Sequence, residues 1–232
     1  EKYIDFSARI ENGPLTKGFD YYFGTDVPNY PPYCFIENDR LVQTPGKMKP
    51  ADMYGHPGVM VDGWRLENIL PSLTNKATTY IKEKAKNDQP FFLYIPLTSP
   101  HSPIAPADQF KGTSKAGLYG DFVQQTDWTV GEIIKAVTDA GIEKNTIIFF
   151  ASDNGSPATD GTGMYGELNS IKKFDHNPSY KSRGIKADIW EGGHHIPFFI
   201  KWPGMVAENS TCANTISLND FMATCAKKKK KA

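Results

Sequence analysis

Thr146-Ile147-Ile148-Phe149-Phe150-Ala151-Ser152-Asp153-Asn154-Gly155 is the stretch that decides how this chain of 232 residues is read. A run of β-branched and aromatic residues ended by Asn-Gly has the length and punctuation of a strand buried on both faces. In open α/β sheets, ligands bind just past the carboxyl ends of such strands. There Asp153 offers a charged oxygen and Asn154 a neutral one, both hard donors suited to calcium or magnesium. Gly155 lets the backbone turn close to whatever is bound. Taken alone, the same residues are also an ordinary Asp-Asn-Gly turn.

Working outward, Pro90-Phe91-Phe92-Leu93-Tyr94-Ile95-Pro96-Leu97 reads as a second buried strand, and it runs into a loop carrying His101 between Pro100 and Pro103. A third apolar run, Ile196 to Trp202, follows a glycine-framed loop, Gly184 to Gly193, that carries Lys186. Three loops beside strands thus supply a carboxylate with an amide, an imidazole and an ammonium. Cationic groups facing a metal pair of ligands suit a tetrahedral oxyanion ester, because they neutralise the developing negative charge on its oxygens.

Helices fill the space between these runs. Ile69, Leu70, Leu73, Ala77, Tyr80 and Ile81 repeat at helical spacing with Pro71 in the first turn, which predicts a helix from about Pro71 to Lys86. Tyr119, Phe122, Val123, Thr126, Val130, Ile133, Ile134 and Val137 form one face of a second helix, with Gly141 as its carboxyl-terminal cap. The alternation predicts an α/β layer rather than a bundle. Residues 1–65 show no sustained period and read as an irregular peripheral segment. Residues 66–226 read as the α/β core, and 227–232 as a lysine-rich terminal addition or disordered tail. The polar, glycine-bearing stretch 156–183 is expected to be a long loop that sets selectivity. Asp121 and Asp127 read as solvated or capping groups, and Trp190 and Glu191 as supports of the Lys186 loop.

Composition bounds the partners. The 26 basic and 26 acidic residues balance to a formal charge of zero, which argues against nucleic-acid binding. No stretch has the apolar length of a transmembrane helix, so no membrane partner is expected. The three cysteines, Cys34, Cys212 and Cys225, define no disulfide framework or metal spacing. Asn209-Ser210-Thr211 fits a glycosylation sequon. His194 and His195, being adjacent, make a poor metal pair.

In order and spacing these segments resemble the formylglycine-dependent sulfatases of the alkaline-phosphatase-like superfamily, in the arylsulfatase and N-acetylgalactosamine-6-sulfatase-like group. The resemblance rests on Gly18-Phe19-Asp20-Tyr21-Tyr22-Phe23-Gly24, His101-Ser102-Pro103, Phe110 to Ser114, Tyr119-Gly120-Asp121, Ser152-Asp153-Asn154-Gly155, Lys186 five residues before Glu191-Gly192-Gly193, and Trp202-Pro203-Gly204. It implies an α/β fold with a central, mostly parallel sheet and flanking helices. It assigns Asp153 and Asn154 to a divalent metal, Ca2+ with Mg2+ as the second choice, and His101 and Lys186 to the sulfate group of a sulfated small molecule or glycan. A secreted, periplasmic or lysosomal setting follows from the same resemblance. His195 stands where the family commonly has arginine, a departure expected to loosen a structural ion pair.

The family's nucleophile is a hydrated formylglycine made from a C/S-x-P-x-R motif, beside two consecutive aspartates that complete the metal site. Neither feature occurs in this sequence. The expectation is therefore the middle and later part of a sulfatase, inactive by itself, whose missing segments lie before Glu1 and after the last helix. Two other readings stay open. One is a phosphatase-type hydrolase of the same superfamily, disfavoured by Asp153-Asn154 where those enzymes carry Asp-His. The other is a non-catalytic module that binds sulfated glycans.

Overall fold

The structure is a computed structural model, and it describes residues 4–229, with the side chains of the last two lysines of that range left aside. The amino-terminal segment is less irregular than its composition predicts. Two-residue strands β1 (Phe23–Gly24), β2 (Ile36–Glu37) and β3 (Arg40–Leu41) form an antiparallel sheet, and β4 (Lys47–Met48) pairs antiparallel with β5 (Val59–Met60). Strands this short have no detectable hydrophobic period.

Helix α1 (Ile69–Lys84) and helix α2 (Gly117–Asp139) hold the core. Each lies within two residues of its predicted limits, and Gly141 has the left-handed φ of +71° expected of a cap. Leu70 of α1 meets Ile104, Tyr119 and Phe122, and Ile81 meets Ala136 and Val137 farther along the pair. Truncating a side chain as buried as Leu70 costs about 2–5 kcal/mol. The inward face of α2 is more polar than its sequence pattern implies. Val123 is exposed, while Gln125, Thr126 and Thr129 are buried. Thr126 satisfies its hydroxyl on the Phe122 carbonyl at 2.8 Å and on Ser99 Oγ at 2.7 Å, and Thr129 meets Thr74 of α1 at 3.0 Å. Buried hydroxyls need such partners to offset their desolvation. The amino-terminal segment packs on α1 by a Tyr21–Tyr80 stack and a Lys76–Glu37 ion pair of 2.8 Å.

The expected α/β mixture of helices and strands is present, but no parallel strand ladder of a central sheet occurs among the described residues. Among the described residues strand β6 (Ile148–Ala151) pairs only with β7 (Phe198–Lys201), and the pairing is antiparallel, with Phe150 opposite Phe199. Residues 90–97 join no ladder. Their burial nevertheless alternates with the period of two that a strand has: Phe91 and Leu93 pack on the α1–α2 core, while Phe92 is 63% exposed. Nor is β6 buried on both faces, and Phe199 of β7 is 64% exposed. An apolar run identifies a segment built for two-sided burial, but not what covers it.

Three short helices complete the chain: α3 (Ser170–Phe174), α4 (Glu191–His194) and α5 (Asp220–Lys229). Helix α5 carries into the lysine run as far as Lys229, and residues 230–232 of the expected tail lie outside the described range. No described helix is long and apolar enough to cross a membrane.

Candidate active site

The loop that leaves β6 is held by its own side chains. Ser152 Oγ donates to the Asn154 carbonyl at 2.9 Å, and Asn154 Nδ2 donates to the Gly155 carbonyl at 3.1 Å. Turning the amide nitrogen inward leaves Asn154 Oδ1 as the atom available to a cation. Asp153 is exposed, and its carboxylate makes no ion pair or hydrogen bond among the described residues.

Lys186 is brought to this loop by backbone contacts. Its N–H donates to the Ser156 carbonyl at 2.9 Å, and the Gly155 N–H donates to the Gly193 carbonyl at 2.9 Å. The approach is so close that a Cβ on Gly155 would overlap the Gly192 carbonyl, and one on Gly192 would overlap that of Gly184. The glycines framing the Lys186 loop therefore let three backbone segments stack without side chains between them. Asp188 staples the loop by accepting the Ile185 N–H at 2.9 Å, and Arg183 lies 3.8 Å over the Trp190 ring. His195 Nδ1 lies 3.2 Å from Glu191 Oε2, both groups exposed.

The loop that carries His101 is tied to α2 by Ile104. The exposed ring of His101 places Nδ1 at 2.7 Å from the Ser102 carbonyl. A carbonyl can only accept, so Nδ1 carries a proton and Nε2 is the free ring atom. Ile104, three residues on, packs against Tyr119 of α2, whose hydroxyl lies 3.0 Å from Ser156 Oγ. The structure thus joins the Asp153–Ser156 and Lys186 loops directly and the His101 loop through Tyr119. No hydrogen bond or ion pair links the side chains of His101, Asp153, Asn154 and Lys186 to one another.

Four residues take roles that were not read from sequence. Tyr119 and Ser156 form the bridge just described, although Tyr119 was read as part of an apolar helical face and of the Tyr119-Gly120-Asp121 resemblance, with no contact assigned to its hydroxyl. Asp121 is buried rather than solvated, and its two oxygens accept the N–H groups of Gly112 and Ser114, each at 2.8 Å. Asp160, 1% exposed, organises the loop after β6. Its Oδ1 accepts N–H groups from Thr162 at 2.7 Å and Glu167 at 2.8 Å, and Lys173 Nζ lies 3.4 Å from Oδ2. Burial pulls the Asp160 pKa up, but these two N–H groups, the Thr162 hydroxyl and the Lys173 charge outweigh it and hold it at about 2. An aspartate two residues before Thr162 in a glycine-rich stretch was the available signal for that turn.

Comparison with known proteins gives one family. The sulfatase family profile matches residues 6–227. An N-acetylgalactosamine-6-O-sulfatase of Bacteroides thetaiotaomicron is 32% identical over 96% of this chain and 50% of its own length. The rat (Rattus norvegicus) N-acetylgalactosamine-6-sulfatase is 29% identical over 91% of the chain and 38% of its own length. The chain therefore spans half or less of these curated relatives. A solved structure from work on the metabolism of multiple glycosaminoglycans by Bacteroides thetaiotaomicron superposes with a TM-score of 0.80 at 29% identity, over 98% of this chain and 54% of that one. The neighbours share the alkaline-phosphatase-like α/β fold, and on the extent of the family match this chain belongs to the sulfatase family.

Proposed function

We propose that this chain carries the sulfate-binding groups and part of the metal site of an enzyme that hydrolyses sulfate esters. The observation that supports the reading best is the paired backbone contact that joins the loop carrying Asp153 and Asn154 to the loop carrying Lys186. Asp153 and Asn154 fit a hard divalent cation, Ca2+ before Mg2+, by donor chemistry. They are two ligands where calcium takes about six to eight, so the remaining oxygens come from elsewhere in the parent protein. Among the described residues no group of three or more His, Cys, Asp and Glu could hold a metal. Tight calcium binding by this chain alone is therefore not expected.

Within that reading Asp153 and Asn154 would hold part of a divalent cation's shell, and the cation would supply positive charge to the sulfate oxygens while a formylglycine elsewhere in the parent protein would supply the nucleophile. Lys186 compensates charge on the ester oxygens. His101 donates to the same group from Nε2, and because Nδ1–H is already given to the Ser102 carbonyl, it can do so only as the imidazolium. The names of the relatives point to 6-sulfated N-acetylgalactosamine as the first substrate to try. A secreted, periplasmic or lysosomal setting is part of the same proposal.

The decisive assay joins the chain to a formylglycine-bearing amino-terminal region and compares a sulfate ester with its phosphate counterpart. Turnover of the sulfate is expected. Lys186→Ala and Asp153→Ala should each lower it by about a hundredfold or more. Activity unchanged by both substitutions would refute the assignment, and preference for the phosphate would transfer it to the phosphatase branch.

A further inference from the structure

Beside the His101 loop runs a line of aromatic rings that neither the fold nor the sulfate chemistry requires. Tyr54 and Tyr165 stack with centroids 6.1 Å apart and planes at 20°. Tyr30 and His56 stack at 4.0 Å, also at 20°. Tyr54 packs with Met164, the neighbour of Tyr165, on the cluster that holds Ala105, four residues past His101, and His56 follows Tyr54 by two residues.

The line is exposed but fixed. Tyr165 is 59% and Tyr30 47% exposed. Tyr165 is held because the Ile104 N–H donates to the carbonyl of its neighbour Met164, and because Tyr54 and Met164 pack on one cluster with Ala105. Buried Tyr33 donates within reach of both the His56 carbonyl at 2.7 Å and the Asn29 carbonyl at 3.0 Å, pinning the segments that carry the second pair. Exposed aromatic rings held rigid by their surroundings are costly to leave in water, and they bind flat partners with little further loss of entropy.

We propose that Tyr54 and Tyr165, continued by Tyr30 and His56, form a subsite on which the sugar rings of a sulfated glycan stack, next to the sulfate group held at His101. The proposal rests on the reading of His101 and Lys186 as sulfate-binding groups. A pyranose ring has an apolar C–H face and a polar rim. The face covers a tyrosine ring while the rim hydroxyls meet the phenol oxygens at its edge. Two stacked pairs, carried by Tyr54 and His56 two residues apart, offer more than a single ring, which suits a chain of sugars better than a lone aryl group.

The test is saturation-transfer NMR on the full chain with calcium present, using N-acetylgalactosamine 6-sulfate and inorganic sulfate as separate probes. Tyr165→Ala should weaken the sulfated sugar about tenfold, the scale of one stacking contact, and leave inorganic sulfate unchanged. Tyr165→Phe, which keeps the ring, should bind the sugar within about twofold of the original chain. The proposal is overturned if the sulfated sugar does not bind, if Tyr165→Ala does not weaken it, or if inorganic sulfate is weakened equally. Lys186→Ala and His101→Ala should weaken both probes. If they weaken neither while Tyr165→Ala still loses the sugar, the aromatic subsite stands and the sulfate assignment falls.

Discussion

The hydroxyl of Tyr119 lies 3.0 Å from Ser156 Oγ, tying the first turns of α2 to the loop whose carbonyl receives the Lys186 N–H. Burial raises the Tyr119 pKa, against the Ser156 hydrogen bond, so the phenol stays protonated and the bond persists into alkaline solution. A cycle of Tyr119→Phe, Ser156→Ala and the double variant should give a coupling of about 1 kcal/mol in denaturant unfolding. Strict additivity would mean that the two hydroxyls do not stabilise each other.

Asp160 should leave a signature at acid pH. Its folded pKa of about 2 lies below the ordinary aspartate value of 3.8. The stabilisation is therefore complete above about pH 4 and is lost as pH falls through about 2, because the unfolded chain binds the proton first. Asp160→Asn should flatten the unfolding-against-pH curve across that interval. A curve of unchanged slope there would assign the acid sensitivity to other carboxylates.

The three thiols should separate cleanly. Cys34 is buried, and burial followed by the nearby Asp26 charge pushes its pKa up to about 11, whereas Cys212 and Cys225 are exposed. Alkylation depends on the thiolate and on access. Mass spectrometry of the native chain should show Cys212 and Cys225 modified rapidly and Cys34 only after denaturation. Rapid native labelling of Cys34 would contradict the packing of Tyr33 and Cys34.

Gly155→Ala should be far more harmful than a methyl group implies. The added carbon meets the Gly192 carbonyl, in a segment already fixed by the Gly155–Gly193 hydrogen bond. Overpacking against backbone costs about 1–3 kcal/mol, so the melting temperature should fall by about 3 °C or more for a chain of this size. Gly131→Ala, at an open position of α2, is the control and should not destabilise. Equal melting temperatures for the two variants would refute the close approach.

The legible parts of this fold are those where local periodicity and burial coincide. Helices α1 and α2 could be placed from their apolar spacing because each buries one stripe against the other. The sheet was less legible: residues 90–97 keep a strand's alternation, yet pairing depends on a partner segment that no local pattern specifies. Asp153, Asn154, His101 and Lys186 stood out because charged or hard-donor groups beside strand ends are chemically conspicuous. Asp121 and Asp160 did not, because an aspartate that binds backbone N–H groups has the same neighbours in sequence as one that binds water.

The glycine contact between residue 155 and residues 192–193 also limits how such a site can diversify. With no side chain between the two loops, neither can be shortened, shifted or rebuilt without the other, so the spacing of Asp153 and Lys186 is inherited as a single unit. Tyr165 lies on a separate excursion of the chain, anchored chiefly at Met164 and by the Asp160 turn. Substitution or insertion around Tyr165 can therefore proceed while the backbone spacing between the Asp153 and Lys186 loops is kept.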